Sequence, residues 1–390
     1  MLGWLNARRG GAASLSLAAS VLVGCVATAA PRPAADATPS AAAPASLPPV
    51  PVAAPPVSAA PLAEASAPAT ARSNAFRAGD IRSDPPPRSL IHSSHYWISN
   101  EHSHFVWHAP LQALGGAYLG VGTDQNYLLA GWARPELLLL VDFDASIVDL
   151  HRAYRVAFTA AASPAEFLAL WSPAGAAAHA AHIVAAYPDP DLQARVLAAQ
   201  RTARRLVHHR LRTTLRVHGD RGIATYLDDA AQYEHLRRLW QEDRVLPIRG
   251  DLTGDAALVD IAAALRAAGL TLSVLYLSNA EQYFDFVPSF RRNVLALPMD
   301  ERSVVLRTLG WRTHGFVAGE YYHYNRQSGA NFREWLRLSR VARAGGMLAF
   351  KRPTAVHGVS VLDALPVPAR RPPTIAASVP TPTALPGVAR

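Results

Sequence analysis

Two glycines and an aspartate form the pattern that points most directly to chemistry in this sequence. Gly120 and Gly122 end the apolar stretch that starts at Ala117, and Asp142 follows Gly122 by 20 residues. Glycine lets a ligand approach the backbone closely, and free N–H groups at the start of a following helix favour an anionic group. An acid at the end of the next strand can accept hydrogen bonds from both hydroxyls of a ribose. This spacing indicates a site for a nucleoside-type ligand.

The residues around this pattern predict the elements that would position it. Residues 117–122 predict a short strand, and Thr123 to Trp132 predict a helix with Thr123 or Asp124 as its cap. The apolar run 137–141 predicts a buried parallel strand. Strand, glycine turn, helix, strand and acid make a right-handed βαβ unit. The glycine turn should therefore lie at the carboxyl edge of a parallel sheet.

The sheet is expected to continue in the second half of the chain. Apolar stretches there predict five further strands, at 245–248, 270–277, 304–307, 315–324 and 347–350. Helices are predicted over 256–268, where Gly269 ends the helix, and over 332–343. Open α/β sheets bind ligands outside the carboxyl ends of their strands. We therefore expect Asp251, Ser278 and Asn279, which follow two of these strands, on the same edge as Gly122 and Asp142.

Residues 145–243 predict a helical insertion that contains an unusual run of positive charge. Arg195 to Arg221 holds eight arginines and three histidines against one acid, Asp220. The whole chain has a net charge of +9, and all of its basic residues except Lys351 are arginine. Such a bias can reflect coding preference, so we interpret the run as a solvated helix face and do not expect nucleic acid as a partner. A patch facing an anionic surface is the alternative.

The N-terminus has the pattern of an export signal. Arg8 and Arg9 precede an apolar stretch at 10–23 that is too short to span a bilayer, and the stretch ends in Leu-Val-Gly before Cys25. This resembles the lipobox of bacterial lipoproteins, which implies cleavage before Cys25 and its lipidation. Val26, which is not Asp, implies the outer membrane in such proteins. An uncleaved apolar N-terminus with a chance cysteine is the alternative.

Composition divides the remaining chain into a folded part and two flanking segments. Half of all residues are apolar and 17% are charged, which excludes a fully disordered chain and a multi-span membrane protein. Residues 26–70 hold 18 Ala and 11 Pro, too little apolar surface to offset the entropy of folding. We predict four parts: a signal peptide over 1–24, a lipidated, disordered tether over 25–89, one α/β domain over 90–352 and a disordered, Pro-rich tail over 353–390.

The order of features in the predicted domain resembles the class I S-adenosylmethionine-dependent methyltransferase fold. The resemblance implies a Rossmann-like, mostly parallel sheet with the helical insertion at 145–243, and S-adenosylmethionine as cofactor. It assigns the glycine turn to Gly120 and Gly122, and ribose binding to Asp142 or Asp144. It further implies that Asp251 lies near adenine and that Ser278 and Asn279 face the substrate.

The chain also resembles a poorly characterised bacterial family with this predicted fold. The matching stretches are 97–101, 118–127 and 277–283, within a resemblance that covers about 90–350. It adds four candidate site residues: Gln125, Asn126, Glu281 and Tyr283. Asp124 occupies the position of the third glycine usual in methyltransferases, and its charge would lie near the sulfonium of the cofactor.

Two functions of different kinds follow from these resemblances. In the first, the domain transfers a methyl group to an unknown acceptor, which Asn279, Glu281 or Tyr283 orients or deprotonates. In the second, the domain is a catalytically inactive binding module for a small-molecule or envelope ligand, anchored to the membrane at Cys25. An exported domain would also meet little S-adenosylmethionine. No metal is expected, because the five histidines between 92 and 108 lack the spacing of a zinc site.

Overall fold

Eight strands form a single sheet in the computed structural model, which describes residues 80–86, 95–310 and 312–366. The strands are β1 (Ala117–Val121), β2 (Leu137–Asp142), β3 (Val245–Arg249), β4 (Leu272–Tyr276), β5 (Val304–Leu309), β6 (His323–Ser328), β7 (Arg352–Pro353) and β8 (Val359–Leu362). Their order across the sheet is β3-β2-β1-β4-β5-β6-β8-β7. The first five are parallel, β6 is antiparallel to β5 and β7 is antiparallel to β8.

Eleven α-helices accompany the sheet within the described residues. They are α1 (His108–Leu111), α2 (Gln125–Ala133), α3 (Ala145–Ala160), α4 (Pro164–Trp171), α5 (Ala176–Ala186), α6 (Pro190–Gly219), α7 (Ala230–Gln241), α8 (Ala257–Ala267), α9 (Pro288–Ala296), α10 (Gly329–Arg337) and α11 (Ala344–Leu348). In this part of the chain no single helix is long and apolar enough to span a membrane. Helices α4 and α5 reach that threshold only as a pair, across a bend of 99°.

Both faces of the sheet are covered by side chains from the helices. Leu138 of β2 belongs to a buried cluster that includes Tyr154 of α3, and Leu139 belongs to a second cluster that includes Ile261 of α8. Successive side chains of a strand point to opposite faces, so a strand covered on both sides is apolar throughout. This burial explains the continuous apolar run at 137–141.

The predicted α/β fold with a mostly parallel sheet is confirmed. The strand order reverses between β1 and β4, which makes their carboxyl ends the topological switch point of the sheet. The helical character predicted for 145–243 is also confirmed, because this range contains α3 to α7. The candidate residues therefore have to be judged at the carboxyl edge of β1 to β4.

Two of the five strands predicted in the second half of the chain, 315–324 and 347–350, are wrong. The stretch 315–324 is mostly irregular, and β6 begins only at His323. Met347 and Leu348 are buried, but they belong to α11 and not to a strand. An apolar run of four residues has no clear period, so its type is decided by the neighbours it packs against.

The sheet also extends past the predicted domain boundary at 352. Strand β8 lies within the predicted tail and pairs with β6 on one side and β7 on the other. Ser360 and Leu362 of this strand are fully buried. The predicted signal peptide, Cys25, residues 26–79 and residues 367–390 lie outside the described part of the chain. The prediction that the disordered tether reaches residue 89 is wrong for 80–86, because Ile81 and Asp84 are buried and Asp84 accepts the N–H groups of Asp251 and Ala256.

We predict that residues 353–366 are required for stability. A chain ended after Arg352 loses β8, including the buried Leu362, and should unfold at a Tm lower by about 10 °C or more. A chain ended after Pro366 retains β8 and should match the full-length protein. Thermal unfolding followed by circular dichroism compares the two, and equal Tm values would contradict this role of β8.

Candidate functional site

The predicted cofactor residues gather at one edge of the sheet. Gly122 follows β1, Asp142 ends β2, Asp251 follows β3 and Ser278 follows β4. All four strands are parallel, so these positions share the carboxyl edge. The sequence therefore predicted correctly where these residues lie. What each side chain does there is a separate question.

The chain's own side chains fill the space beside the two glycines. Gly122 has a φ of +91°, a conformation that favours glycine, and a Cβ on it would lie 2.4 Å from Gln125 Nε2. A Cβ on Gly120 would lie 1.9 Å from Asn126 Oδ1. Both glycines are thus required by the packing of Gln125 and Asn126.

Polar groups of the glycine turn are satisfied internally. The Thr123 N–H donates to Gln125 Oε1 at 3.1 Å, and Asn126 Nδ2 donates to the carbonyl of Val121 at 3.1 Å. Tyr118 donates its hydroxyl to Asn126 Oδ1 at 2.9 Å. An anionic ligand group would have to displace the Gln125 side chain to reach the Thr123 N–H. Gln125 and Asn126, predicted to bind the cofactor, therefore organise the turn in this structure.

Asp124, one of the two residues predicted to cap α2, occupies the N-cap position, but its side chain forms no capping hydrogen bond. It accepts a hydrogen bond from Arg210 Nε at 2.7 Å and one from the Ser99 N–H at 2.8 Å. Both side chains of this ion pair are almost fully buried. The negative charge of Asp124 is compensated inside the protein and is not presented to a ligand.

Arg210 continues this contact to the segment before β1. Its Nη1 donates to His102 Nδ1 at 2.6 Å. Burial lowers the pKa of His102, and the charge of Arg210 lowers it further, so the ring is neutral and can accept this bond. One arginine of the helical insertion thereby joins the glycine turn to residues 99–102.

Glu101 is a functional candidate that the sequence analysis missed. Its carboxylate is buried and accepts hydrogen bonds from Ser278 Oγ at 2.8 Å and His104 Nε2 at 3.1 Å. The hydroxyls of Tyr276 and Thr308 also donate to it. Burial alone would raise the pKa of Glu101, but these donors and the charge of His104 lower it to about 2. The carboxylate is held ionised over the ends of β4 and β5.

Asp142 has a different environment from the other acids of the edge. Its side chain is partly exposed, and Oδ1 accepts the Asp144 N–H at 2.9 Å. Burial raises its pKa to about 7, aided by the Asp144 carboxylate and opposed by the N–H groups of Asp144, Gly122 and Phe143. The carboxylate therefore lies against the glycine turn, has no cationic partner in these contacts and changes charge near neutral pH.

The other two predicted acids stabilise local structure. Asp144 caps α3, because it accepts the Ser146 N–H at 2.8 Å, and its second oxygen lies 2.6 Å from His95 Nδ1. Asp251 accepts the N–H and the hydroxyl of Thr253, at 2.8 and 2.9 Å. Of the two acids predicted as alternatives for ribose binding, Asp142 also accepts backbone N–H groups, but it neither caps a helix nor contacts a histidine.

The three residues predicted to act on an acceptor do not form one site. Asn279 and Tyr283 are hydrogen-bonded to each other through their side chains, and Tyr283 is 55% exposed. Glu281 is fully buried beneath them and accepts a hydrogen bond from Arg307 Nε at 2.5 Å. Because Arg307 is equally buried, this carboxylate is part of the core. The prediction that Glu281 faces an acceptor at the edge is wrong.

A second pair of an asparagine and a tyrosine lies next to Asn279 and Tyr283. Tyr322 is hydrogen-bonded to the Asn100 side chain, and burial raises its pKa to about 12. Tyr96 and Tyr283 lie close enough to contribute to that shift. Burial likewise raises the pKa of Tyr283. These protonated hydroxyls can donate hydrogen bonds but are poor general bases at neutral pH.

Two cavities lie at the opposite edge of the sheet. One, of about 340 Å³, is next to the start of β5, with Val304, Ser328 and Asn331 in its wall. The other, of about 240 Å³, includes Gly116 and Thr271, which precede β1 and β4. No group of three or more His, Cys, Asp or Glu side chains in the described ranges is placed to hold a metal ion. Neither of these cavities is lined by a predicted site residue.

We predict that Asp142 makes stability depend on pH. Between its ordinary pKa of about 4 and about 7, the folded state keeps a proton that the unfolded chain releases, so the free energy of unfolding falls as pH rises through this window. Asp142→Asn removes this loss. The difference in Tm between Asp142→Asn and wild type should therefore increase by about 3–6 °C, in favour of the variant, from pH 4.5 to pH 7.5.

Thermal unfolding across this pH range, with Asp243→Asn as the matched control, checks the prediction. Asp243 is an exposed acid at the amino end of β3. A constant Tm difference between Asp142→Asn and wild type would show that Asp142 does not titrate near pH 7.

A further prediction separates a structural role of Glu281 from a catalytic one. Glu281→Leu leaves Arg307 buried without its ion-pair partner, which should cost about 3–5 kcal/mol of unfolding free energy. The double variant Glu281→Leu, Arg307→Met removes both charges and should recover a large part of this loss. Urea denaturation measures both, and a single variant as stable as wild type would contradict the structural role.

Comparison with known proteins assigns most of the chain to a protein family. A family model described as a domain of unknown function (DUF7790) matches residues 96–363, which is more than two thirds of the chain. The match includes Glu101 and all eight strands, so it extends past the boundary predicted at 352. No curated protein matches the chain significantly.

Proposed function

The chain belongs to the DUF7790 family, and we propose that its domain is a Rossmann-like, methyltransferase-type binding module for S-adenosylmethionine or a related adenosine-containing ligand. The observation that carries the proposal is the Asp142 carboxylate. It ends β2 at the carboxyl edge, accepts backbone N–H groups of the adjoining turn at Gly122 and forms no ion pair in the described structure. A carboxylate in this position suits the two hydroxyls of a ribose.

The glycine turn favours an adenosine-type ligand without phosphate over a dinucleotide. A pyrophosphate would need free N–H groups at the start of α2. In this protein the Thr123 N–H is bound to Gln125, and the carboxylate of Asp124 adjoins the same turn. S-Adenosylmethionine carries a ribose and a sulfonium but no phosphate, so it does not depend on those N–H groups.

Binding is better supported than catalysis. The only carboxylate among the three residues expected at the acceptor is Glu281, and it is sequestered by Arg307. Asn279 and Tyr283 remain at the edge, where they can orient a bound molecule by hydrogen bonds. Methyl transfer is the second candidate, favoured by this exposed pair beside β4. It would rest on placing the acceptor in line with the methyl group rather than on a general base.

We further propose that the protein is a lipoprotein anchored through Cys25, with the domain held by the Pro/Ala-rich tether at the outer membrane. The support is the lipobox pattern that ends at Cys25, the only cysteine of the chain. Two or more acyl chains suffice for stable anchoring. A binding module at the outer membrane does not consume its ligand, whereas an enzyme there would consume one S-adenosylmethionine in each turnover and would need a continuous supply.

Titration calorimetry of the full chain with S-adenosylmethionine and its demethylated product tests the binding proposal. We expect micromolar binding to wild type and at least about tenfold weaker binding to Asp142→Ala, because one or two hydrogen bonds to a charged group are lost. Asp243→Asn, which removes an exposed acid at the other edge, should bind as wild type does. No binding of either ligand at millimolar concentration to the folded protein would refute the proposal.

A further inference from the structure

Helix α6 is the longest helix of the described structure and has two chemically distinct faces. Val196, Ala203, Val207 and Leu211 are buried on one side. Arg201, Arg205, Arg212 and Arg216 are exposed on the other, and we call these four residues the arginine stripe. They are separated by four, seven and four residues, so they align along the helix over about 22 Å.

The stripe has almost no negative charge to balance it. Between Leu192 and Gly219 the helix contains neither Asp nor Glu. Two other arginines of α6 do have acidic partners, since Arg210 binds Asp124 and Arg195 lies 3.3 Å from Asp149. Arg210 is buried and Arg195 is exposed, so these two arginines differ from the stripe by their strong acidic partners and not by burial alone.

Within the stripe, one residue has a carboxylate nearby. Arg216 lies 3.5 Å from Asp220, in a pair exposed on both sides that contributes little. In the described part of the chain, Arg201, Arg205 and Arg212 form no ion pair. Three cations on one helix face therefore have only solvent and counterions to compensate them.

The positive charges also act on one another. Arg204 and His209 flank the stripe, and the pKa of His208 is lowered first by burial and then by the charges of Arg212, Arg204 and His209. Like charges one turn apart destabilise a helix, and an anionic partner would relieve this repulsion. The stripe is solvent-exposed, as the interpretation of the run as a solvated helix face requires, and its uncompensated charge agrees with the alternative of a patch that faces an anionic surface.

We propose that the arginine stripe docks on the anionic headgroups of a lipid membrane. The stripe is straight and lies on a convex helix surface, which suits a flat array of phosphates. It contains no aromatic side chain on which a nucleic-acid base would stack. Arginines near an anionic bilayer each add about fivefold to the affinity.

The choice of a membrane rests on the proposed anchor at Cys25, which would hold the domain within reach of one. Residues 80–86 pack on the domain, where Ile81 and Asp84 are buried. A tether over 26–79 would extend to at most about 170 Å, so the stripe would meet the surface at high effective concentration. The docking face is opposite the buried face of α6, from which Arg210 contacts Asp124. Docking would therefore leave the edge at Asp142 free for its ligand.

Vesicle co-sedimentation tests the proposal with full chain carrying Cys25→Ser, so that no acyl group contributes. The vesicles are phosphatidylcholine with and without phosphatidylglycerol. The stripe variant is Arg201→Gln, Arg205→Gln, Arg212→Gln. The control variant, Arg238→Gln, Arg302→Gln, Arg312→Gln, removes the same charge from exposed positions outside α6.

We expect wild type and control to bind the anionic vesicles and the stripe variant to bind on the order of 100-fold more weakly, with binding reduced by salt. Equal binding of the two variants, or equal binding to neutral vesicles, would overturn the proposal. So would tighter binding of a short DNA duplex that the stripe variant loses. The protein in this assay carries no acyl group and no nucleoside is added, so failure of the assay is distinct from failure of the anchor or of the Asp142 site.

Discussion

The buried ion pair between Asp124 and Arg210 is the interaction on which the organisation of this domain depends. It joins three parts of the chain that are distant in sequence: the glycine turn, the helical insertion and the segment that contains Ser99 and His102. A charge with so little solvent around it needs a partner and further hydrogen bonds. Asp124 is thus used to hold the insertion against the sheet.

The carboxyl edge follows from this constraint. Residues 99–104 are drawn across the ends of the central strands, where Glu101 accepts hydrogen bonds from Ser278 and His104. Polar groups that would otherwise await a ligand are satisfied by the protein itself. Asp142 and the exposed pair of Asn279 and Tyr283 remain available, and this favours ligand recognition over acid–base chemistry.

The sequence predicted the βαβ unit well because its signals are local. The apolar run at 137–141, the positive-φ turn at Gly122 and the helix between them each follow from a few adjacent residues. The end of the fold was harder to predict. Strand β8 is a short segment with no strong period, and its pairing with β6 and β7 makes it a strand. Short segments take their structure from distant neighbours.

By itself, the sequence determined that this is an α/β protein whose candidate ligand residues meet at one edge of a parallel sheet, because strand periodicity and turn chemistry are encoded locally. Only the tertiary structure decided which of those side chains are available. In the sequence, Glu281 and Asp124 have the positions of site residues. In the structure, each forms a buried ion pair, with Arg307 and Arg210 respectively. Charge partners come from residues far along the chain, and burial of a charge depends on packing that no local pattern specifies.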